Sequence, residues 1–223
     1  MTALTARKGI AAFRLGPDTA KRALDVAVAL ILIVTLAPVL AILMLLVRST
    51  SAGPAVFRQQ RLGRDQRPFT MLKLRTMHVG RDDRIHREYV TRLLSAGAEA
   101  VAPPGRRLYK LQADPRVTRV GAWLRRTSLD ELPQLCNVLR GQMSLVGPRP
   151  VLAWEAEMFG EPYRRRFAVR PGLTGLWQVS GRSRLPMGKA LDLDVEYVAR
   201  RSFRLDLVIL IRTVPALLRG GAR

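Results

Sequence analysis

Apolar and polar positions divide this chain unevenly. From Val26 to Val47 no charge interrupts 22 residues, VAVALILIVTLAPVLAILMLLV. A straight helix of that length reaches ~33 Å, enough to cross ~30 Å of hydrocarbon. Pro38 lies near the middle and frees the Val34 carbonyl, which predicts a kink. The halves on either side, about 12 and 9 residues, reach only ~18 and ~14 Å, so neither crosses alone. Lys21 and Arg22 precede the run, while Arg48, Arg58, Arg61, Arg64 and Arg67 follow it. Both flanks are basic, whereas an oriented span carries a bias in Lys and Arg. On these grounds two geometries stay open: a single transmembrane helix, or a helix–break–helix over residues 21–50 that enters and leaves on one face. Thr35 is expected to bond back to a carbonyl one turn earlier, and Asp25 to open the segment as a carboxylate at a helix N-terminus. Residues 1–20 read as a flexible basic lead, without the features of a signal peptide.

Beyond Gly53-Pro54 the period changes. AVFRQQRLG and FTMLKLRTM flank RDQRP, and the second run sets Phe69, Met71, Leu72, Leu74 and Met77 among polar neighbours. This predicts a short β-hairpin with a polar turn. Lys73 and Arg75 share one face, which suits either phosphate or a headgroup-lined surface. Residues 81–96 predict a polar helix with Ile85, Tyr89, Leu93 and Leu94 on one side, followed by a loop, AGAEAVAPPGRR. DPRVTRVGAWLRR predicts a short turn or helix whose arginines approach the stretch after it. Phe203 to Leu218 is apolar with basic punctuation and has no clean run long enough to span; an in-plane interfacial helix and a core helix fit equally.

Composition narrows the partners. The chain has 223 residues and a net charge of +21, from 38 Lys and Arg against 17 Asp and Glu. Such a balance calls for an anionic partner: nucleic acid, an anionic membrane surface or phosphorylated substrates. Aromatic residues make up only 6%, too few for base-stacking platforms. Cys136 is the single cysteine, so no intramolecular disulfide forms. There is no zinc spacing, P-loop or GxGxxG, and His78 and His86 lack companions at metal-ligand spacing.

The densest chemistry runs from Thr127 to Pro150, TSLDELPQLCNVLRGQMSLVGPRP. Asp130 and Glu131 stand side by side, with Arg125 and Arg126 upstream and Arg149 in a proline-stiffened turn downstream. Ser128-Leu129-Asp130-Glu131 fits a capping box, with Ser128 as N-cap. Pro133 opposes that reading, because it would fall inside the helix and lose a bond to the Leu129 carbonyl. A helix starting at Leu132 or Pro133 instead leaves both acids on its entry loop, near a natural anion site. RPG at 170–172 is a second Arg–Pro turn. Gly172, Gly175 and Gly181 allow close backbone approach, and Thr174, Gln178 and Arg182 lie within reach of phosphate or sugar. Carboxylates among guanidinium groups suggest chemistry on phosphate.

TSLDELPQ, GQMSLVGPRP and RPGLTGLWQVSGR, in this order, resemble the bacterial sugar transferases, the monotopic phosphoglycosyl transferases that begin glycoconjugate assembly on a polyprenyl-phosphate lipid. The resemblance runs from Lys21 to the C-terminus. It implies an α-rich α+β enzyme: a re-entrant N-terminal membrane helix, a small β-hairpin and a helical catalytic core with interfacial amphipathic helices, residues 51–223 forming a catalytic domain on the cytoplasmic face of the bacterial inner membrane. It implies transfer of a hexose-1-phosphate from a UDP-sugar to undecaprenyl phosphate, with Mg²⁺, in exopolysaccharide or other glycoconjugate initiation. By resemblance Asp130 is the nucleophile and Glu131 its partner and a Mg²⁺ ligand, with Asp194 or Asp206 as further ligands. Lys73, Arg75, Arg126, Arg149, Arg170, Gly172, Thr174, Gln178 and Arg182 are the expected phosphate and substrate contacts. No nucleic-acid partner is expected, and a homo-oligomer is compatible with the sequence. Gln142, and Arg184-Leu185-Pro186, stand where members commonly carry an acid, which bears on sugar specificity and local metal contacts. The rival reading is a membrane-tethered basic adaptor binding nucleic acid or anionic lipid. It accounts for the charge and the apolar run but not for Asp130-Glu131 beside rigid Arg–Pro turns.

Overall fold

The structure, a computed structural model, describes residues 17–79, 114–181 and 185–220, together with Arg87, Glu88 and Thr91. Residues 1–16 of the expected lead, most of the helix expected at 81–96, the loop after it and Arg182 lie outside the described residues.

The apolar run lies within one helix, α1 (Pro17–Thr50), which continues through Pro38. Its N-terminus lies earlier than Asp25, with Asp18 as the carboxylate of its first turn. Asp25 is instead buried, and its Oδ1 accepts the Leu145 amide at 3.0 Å. Thr35 Oγ1 does donate back to the Ile31 carbonyl, at 2.8 Å. A hairpin follows: β1 (Val56–Leu62) pairs antiparallel with β2 (Pro68–Leu74), from Val56 opposite Leu74 to Leu62 opposite Pro68. Asp65 and Gln66 turn the chain with positive φ.

Helices build the rest. They are α2 (Arg119–Thr127), α3 (Gln134–Leu139), the short α4 (Ala153–Glu157), α5 (Glu161–Arg164) and α6 (Leu176–Ser180), then α7 (Met187–Arg200) and α8 (Phe203–Gly220). Two three-residue strands, β3 (Ser144–Val146) and β4 (Gly172–Thr174), pair in parallel. The fold is thus α-rich α+β, with the small hairpin as expected. The parallel pair is an addition that alternation could not reveal in so short a stretch.

Three apolar clusters hold these elements. The main one joins Ala29 of α1 to Phe69 and Met71 of β2, Leu135 and Val138 of α3, Leu145, Tyr197 and Ile209. A second joins Leu43 and Val47 of α1 to Leu74 and Leu124. A third gathers Val151, Phe159, Phe167 and Leu191 beneath α4 and α5. Polar groups pin the first turns of α1 to the same body. Lys21 Nζ meets Asp206 at 2.6 Å, and Arg22 donates to the Val138 and Leu139 carbonyls at 2.7 and 2.9 Å, where α3 ends. Both ends of α1 therefore lie on one folded unit. Between them Leu30, Ile31, Val34, Ile42 and Leu45 stay exposed. α8 splits its faces similarly: Asp206 and Ile209 are buried, while Phe203, Leu207, Val208, Ile211 and Val214 are exposed.

The β3–β4 contact demands glycine. A Cβ on Gly172 would lie 2.1 Å from the Gly147 amide nitrogen and 2.3 Å from the Thr174 carbonyl oxygen. Both obstacles are backbone and cannot swing aside. Gly172→Ala is expected to cost about 1–3 kcal/mol or more, as overpacking does. A thermal melt checks this: an unchanged melting temperature would contradict the close strand contact.

Candidate active site

Proline decides the local structure of the acidic stretch. α2 starts with Thr118 as N-cap, its hydroxyl accepting the Gly121 amide, and ends at Ser128, whose φ of 59° places it in the left-handed region. Ser128 makes no side-chain cap, so the capping box does not form. Leu129–Glu131 complete one 3-10 turn instead, and α3 begins only at Gln134, with Pro133 as N-cap at φ −61°. Pro133 thus stands where its missing N–H costs nothing. Asp130 and Glu131 precede the helix: Asp130 is buried and Glu131 half-buried.

Three separate segments supply the cations. β2 brings Lys73, whose Nζ is 3.5 Å from Glu131 Oε1. The turn after β3 brings Arg149, whose Nη1 is 3.8 Å from the same oxygen and whose guanidinium lies 5.8 Å from the Trp177 ring centre. β1 brings Arg61, which bonds Glu155 at 3.3 Å and the Pro150 carbonyl at 3.4 Å and so ties hairpin to turn. Lys73, Glu131, Gln134, Arg149, Gly172 and Gln178 line one small pocket. Burial lowers the Lys73 pKa, against the pull of Glu131. Burial also lowers Arg61, to about 10, with Glu155 opposing. Arg125 is lowered by burial too, while the nearby Asp130 charge raises it. Cations crowd two carboxylates in a sheltered place, a field that favours an incoming polyanion.

The turn that carries Arg149 is stapled by backbone. The Gly147 amide bonds the Thr174 carbonyl at 2.9 Å, and the Gly172 amide bonds the Pro148 carbonyl at 2.8 Å. Asn137, fully buried, fixes α3 to β2 through the Leu72 amide at 3.1 Å and the Thr70 carbonyl at 2.7 Å. Lys73 and Arg149 thus stand on braced elements.

A wider groove adjoins the pocket. Its lining includes the polar Arg58, Arg125, Arg126 and Asp130 as well as the apolar Val28, Leu32 and Leu36 of α1 and Leu210, Val214 and Leu217 of α8.

Several expected contacts stand elsewhere. Arg170 is exposed, and its Nε bonds the Gly141 carbonyl at 2.8 Å, bracing that turn. Arg75 lines the wider groove, but its Nη2 bonds the Ser51 carbonyl at 2.6 Å and so holds the exit of α1. Thr174 lines the groove as well, with its hydroxyl on Thr213 at 2.8 Å. Asp194 and Asp206, expected beside Glu131 as metal ligands, belong to other networks. Asp194 is paired with Arg166 at 2.5 Å, and burial raises its pKa to about 6. Asp206 holds Lys21 and accepts the Tyr197 hydroxyl at 2.7 Å. Among the described residues no three His, Cys, Asp or Glu side chains converge on one point. The physical reason is burial: each aspartate lies in the core, where its charge needs a fixed partner.

Gln134 and Arg61 join the site without having been expected there. Gln134 had a signal, since it follows Glu131 by three residues at a helix start. Arg61 had none beyond its charge, because its role depends on hairpin register.

Residues 17–220 match the family model described as bacterial sugar transferase, and the chain belongs to that family. It is 41% identical to the exopolysaccharide production protein ExoY of Sinorhizobium fredii, over 88% of this chain and 84% of that one. It is 42% identical to the UDP-glucose:undecaprenyl-phosphate glucose-1-phosphate transferase of Caulobacter vibrioides, over 96% of this chain and 76% of that one. The undecaprenyl-phosphate galactose phosphotransferase of Salmonella typhimurium is 36% identical over 89% of this chain, which spans only 40% of that relative.

Proposed function

We propose that this enzyme moves a hexose-1-phosphate from a UDP-sugar to undecaprenyl phosphate, through a covalent intermediate on Asp130. The observation that carries the reading is the pocket where Glu131 meets Lys73 and Arg149, next to Asp130, adjoining a groove lined both by cations and by apolar side chains of α1 and α8. A diphosphosugar and a lipid phosphate need that combination: cations for two anions, and an apolar path for a chain of isoprenes.

The chemistry follows from charge. The Asp130 carboxylate attacks the sugar-bearing phosphorus of the donor. A P–O bond forms to the carboxylate, the bond to the bridging oxygen breaks, and UMP leaves with that oxygen. An oxygen of the lipid phosphate then attacks the same phosphorus and releases the carboxylate. Both nucleophiles are already anions, so neither step requires a general base. What it requires is cancellation of repulsion, which Lys73 and Arg149 supply from fixed positions. Two neighbouring carboxylates fit Mg²⁺, which is held by one or two carboxylates with water and substrate phosphates completing its shell. Glu131 would hold it, with Asp130 adjacent; bound there, the ion would neutralise diphosphate charge and ease departure of UMP.

The membrane reading rests on α1. It is the one helix among the described residues long and apolar enough to cross a membrane. Yet Lys21 and Arg22 at one end and Val47 at the other contact the same folded unit. That supports a helix with both ends on one side and its exposed apolar middle in one leaflet; the cytoplasmic face is proposed for the catalytic domain because a UDP-sugar donor is a cytoplasmic metabolite. Single cysteines at Ala20 and Ala52, in a Cys136→Ser background, test this. Both are expected to resist an impermeant thiol reagent added to spheroplasts and to react in inverted vesicles. Labelling from opposite sides would establish a span.

The reaction is tested by UMP release from UDP-glucose and UDP-galactose with undecaprenyl phosphate in detergent. Release that depends on both Mg²⁺ and the lipid is expected; release indifferent to the lipid would count against the acceptor.

A further inference from the structure

Arg149 sits in a turn, and a turn needs external bracing to aim a long side chain. Part of the bracing comes from Arg166, in the 3-10 turn Arg165–Ala168 after α5. Its side chain is 3% exposed. Its guanidinium lies 5.3 Å from the Phe159 ring centre and 5.8 Å from that of Phe167. One nitrogen, Nη2, donates both to Asp194 Oδ2 at 2.5 Å and to the Arg149 carbonyl at 2.7 Å. Asp194 stands on α7, equally buried.

A buried ion pair is a costly way to hold two elements together, since well-packed apolar residues of similar volume often do as well or better. Here the cost is higher, because Arg166 Nη1 has no hydrogen-bond partner. An apolar pair could hold α7 against the turn. It could not donate to the Arg149 carbonyl. We propose that Arg166, oriented by Asp194, is a positioning residue for donor binding: it fixes the backbone of Arg149 so that the guanidinium meets the donor diphosphate beside Glu131. This rests on the reading that the Lys73–Glu131–Arg149 pocket binds that diphosphate. It also gives Asp194 a role without a metal. The aspartate holds the arginine that holds the turn.

The experiment uses the full chain in detergent and compares Arg166→Lys alone, Arg149→Met alone and both together. Lysine keeps the charge but cannot serve Asp194 and the carbonyl from one planar group. The first reading is kcat and KM for UDP-glucose and UDP-galactose with undecaprenyl phosphate. Arg166→Lys is expected to lower kcat/KM by about 10- to 100-fold, chiefly through KM, the scale of a small displacement at a reacting site. In the Arg149→Met background the same change should cost almost nothing further. Equal losses in both backgrounds would overturn the proposal.

The second reading needs no turnover. With Trp123 and Trp154 replaced by Phe, emission comes from Trp177 alone, against which Arg149 lies. Arg166→Lys should shift that emission toward the value for Arg149→Met. Wild-type emission alongside lost activity would overturn the proposal. Should wild-type protein turn over neither donor, the functional reading fails, and Trp177 emission still decides whether Arg166 positions Arg149. Should Arg166→Lys fail to fold, Asp194→Asn takes its place under the same readings.

Discussion

Asp130→Asn is expected to leave a folded protein with turnover reduced by about 10⁴-fold or more, the scale on which enzymes lose activity with their nucleophile. Asparagine keeps the size and planarity of the side chain, so the 3-10 turn before Pro133 should survive. The change removes the only property the first displacement needs, a carboxylate oxygen able to bond phosphorus. Glu131→Gln makes the contrast. It weakens the contacts to Lys73 and Arg149 and removes a proposed Mg²⁺ contact. A loss of about 10²- to 10³-fold is expected, on the scale of removing one electrostatic contact in a preorganised site. Glu131→Gln should still form the intermediate, slowly. The check is UMP release at saturating donor, with circular dichroism on each variant. Equal losses would mean that the two acids act as one unit.

Arg149→Met should lower kcat/KM by about 10²- to 10³-fold, because it removes a fixed cation where charge develops. The side chain is half-buried, so the fold should tolerate an apolar replacement of similar length. Lysine at this position should restore only part of the activity, since a single ammonium cannot meet two phosphoryl oxygens in a planar fork. Salt separates site from surface. Exposed arginines elsewhere contribute through a field that ~0.15 M salt screens over ~8 Å. The Arg149 effect should persist at high ionic strength. A deficit that disappears with added salt would assign Arg149 to general attraction of anions rather than to the pocket.

The parts of the candidate site that local rules govern were legible in the sequence. Pro133 alone argued against a capping box at Ser128, and the chain does leave the helix there. Alternation at Phe69 and Met71 marked β2 and so delivered Lys73. The apolar run marked α1, but not that it begins at Pro17 or that Asp25 is buried against Leu145. Distant pairings were out of reach. Nothing near Arg170 tells that it braces Gly141 while Arg149, in a similar Arg–Pro turn, faces Glu131. The difference comes from the parallel β3–β4 pair, two strands of three residues with no periodic signature. Asp194 and Asp206 look like surface acids on amphipathic helices, and only the packing of α7 and α8 reveals their fixed partners. Local chemistry was legible, whereas its assembly depended on contacts spanning up to 185 positions, as between Lys21 and Asp206.

Intact mass spectrometry separates a covalent step on Asp130 from direct transfer. Purified protein is incubated with Mg²⁺ and UDP-glucose or UDP-galactose, with no lipid acceptor. A wild-type species heavier by one hexose-phosphate is expected, absent from Asp130→Asn and discharged when undecaprenyl phosphate is added. Transfer to the lipid with no adduct at any time, under quenching fast enough to catch one turnover, would contradict it: the sugar-phosphate would then pass directly from donor to lipid.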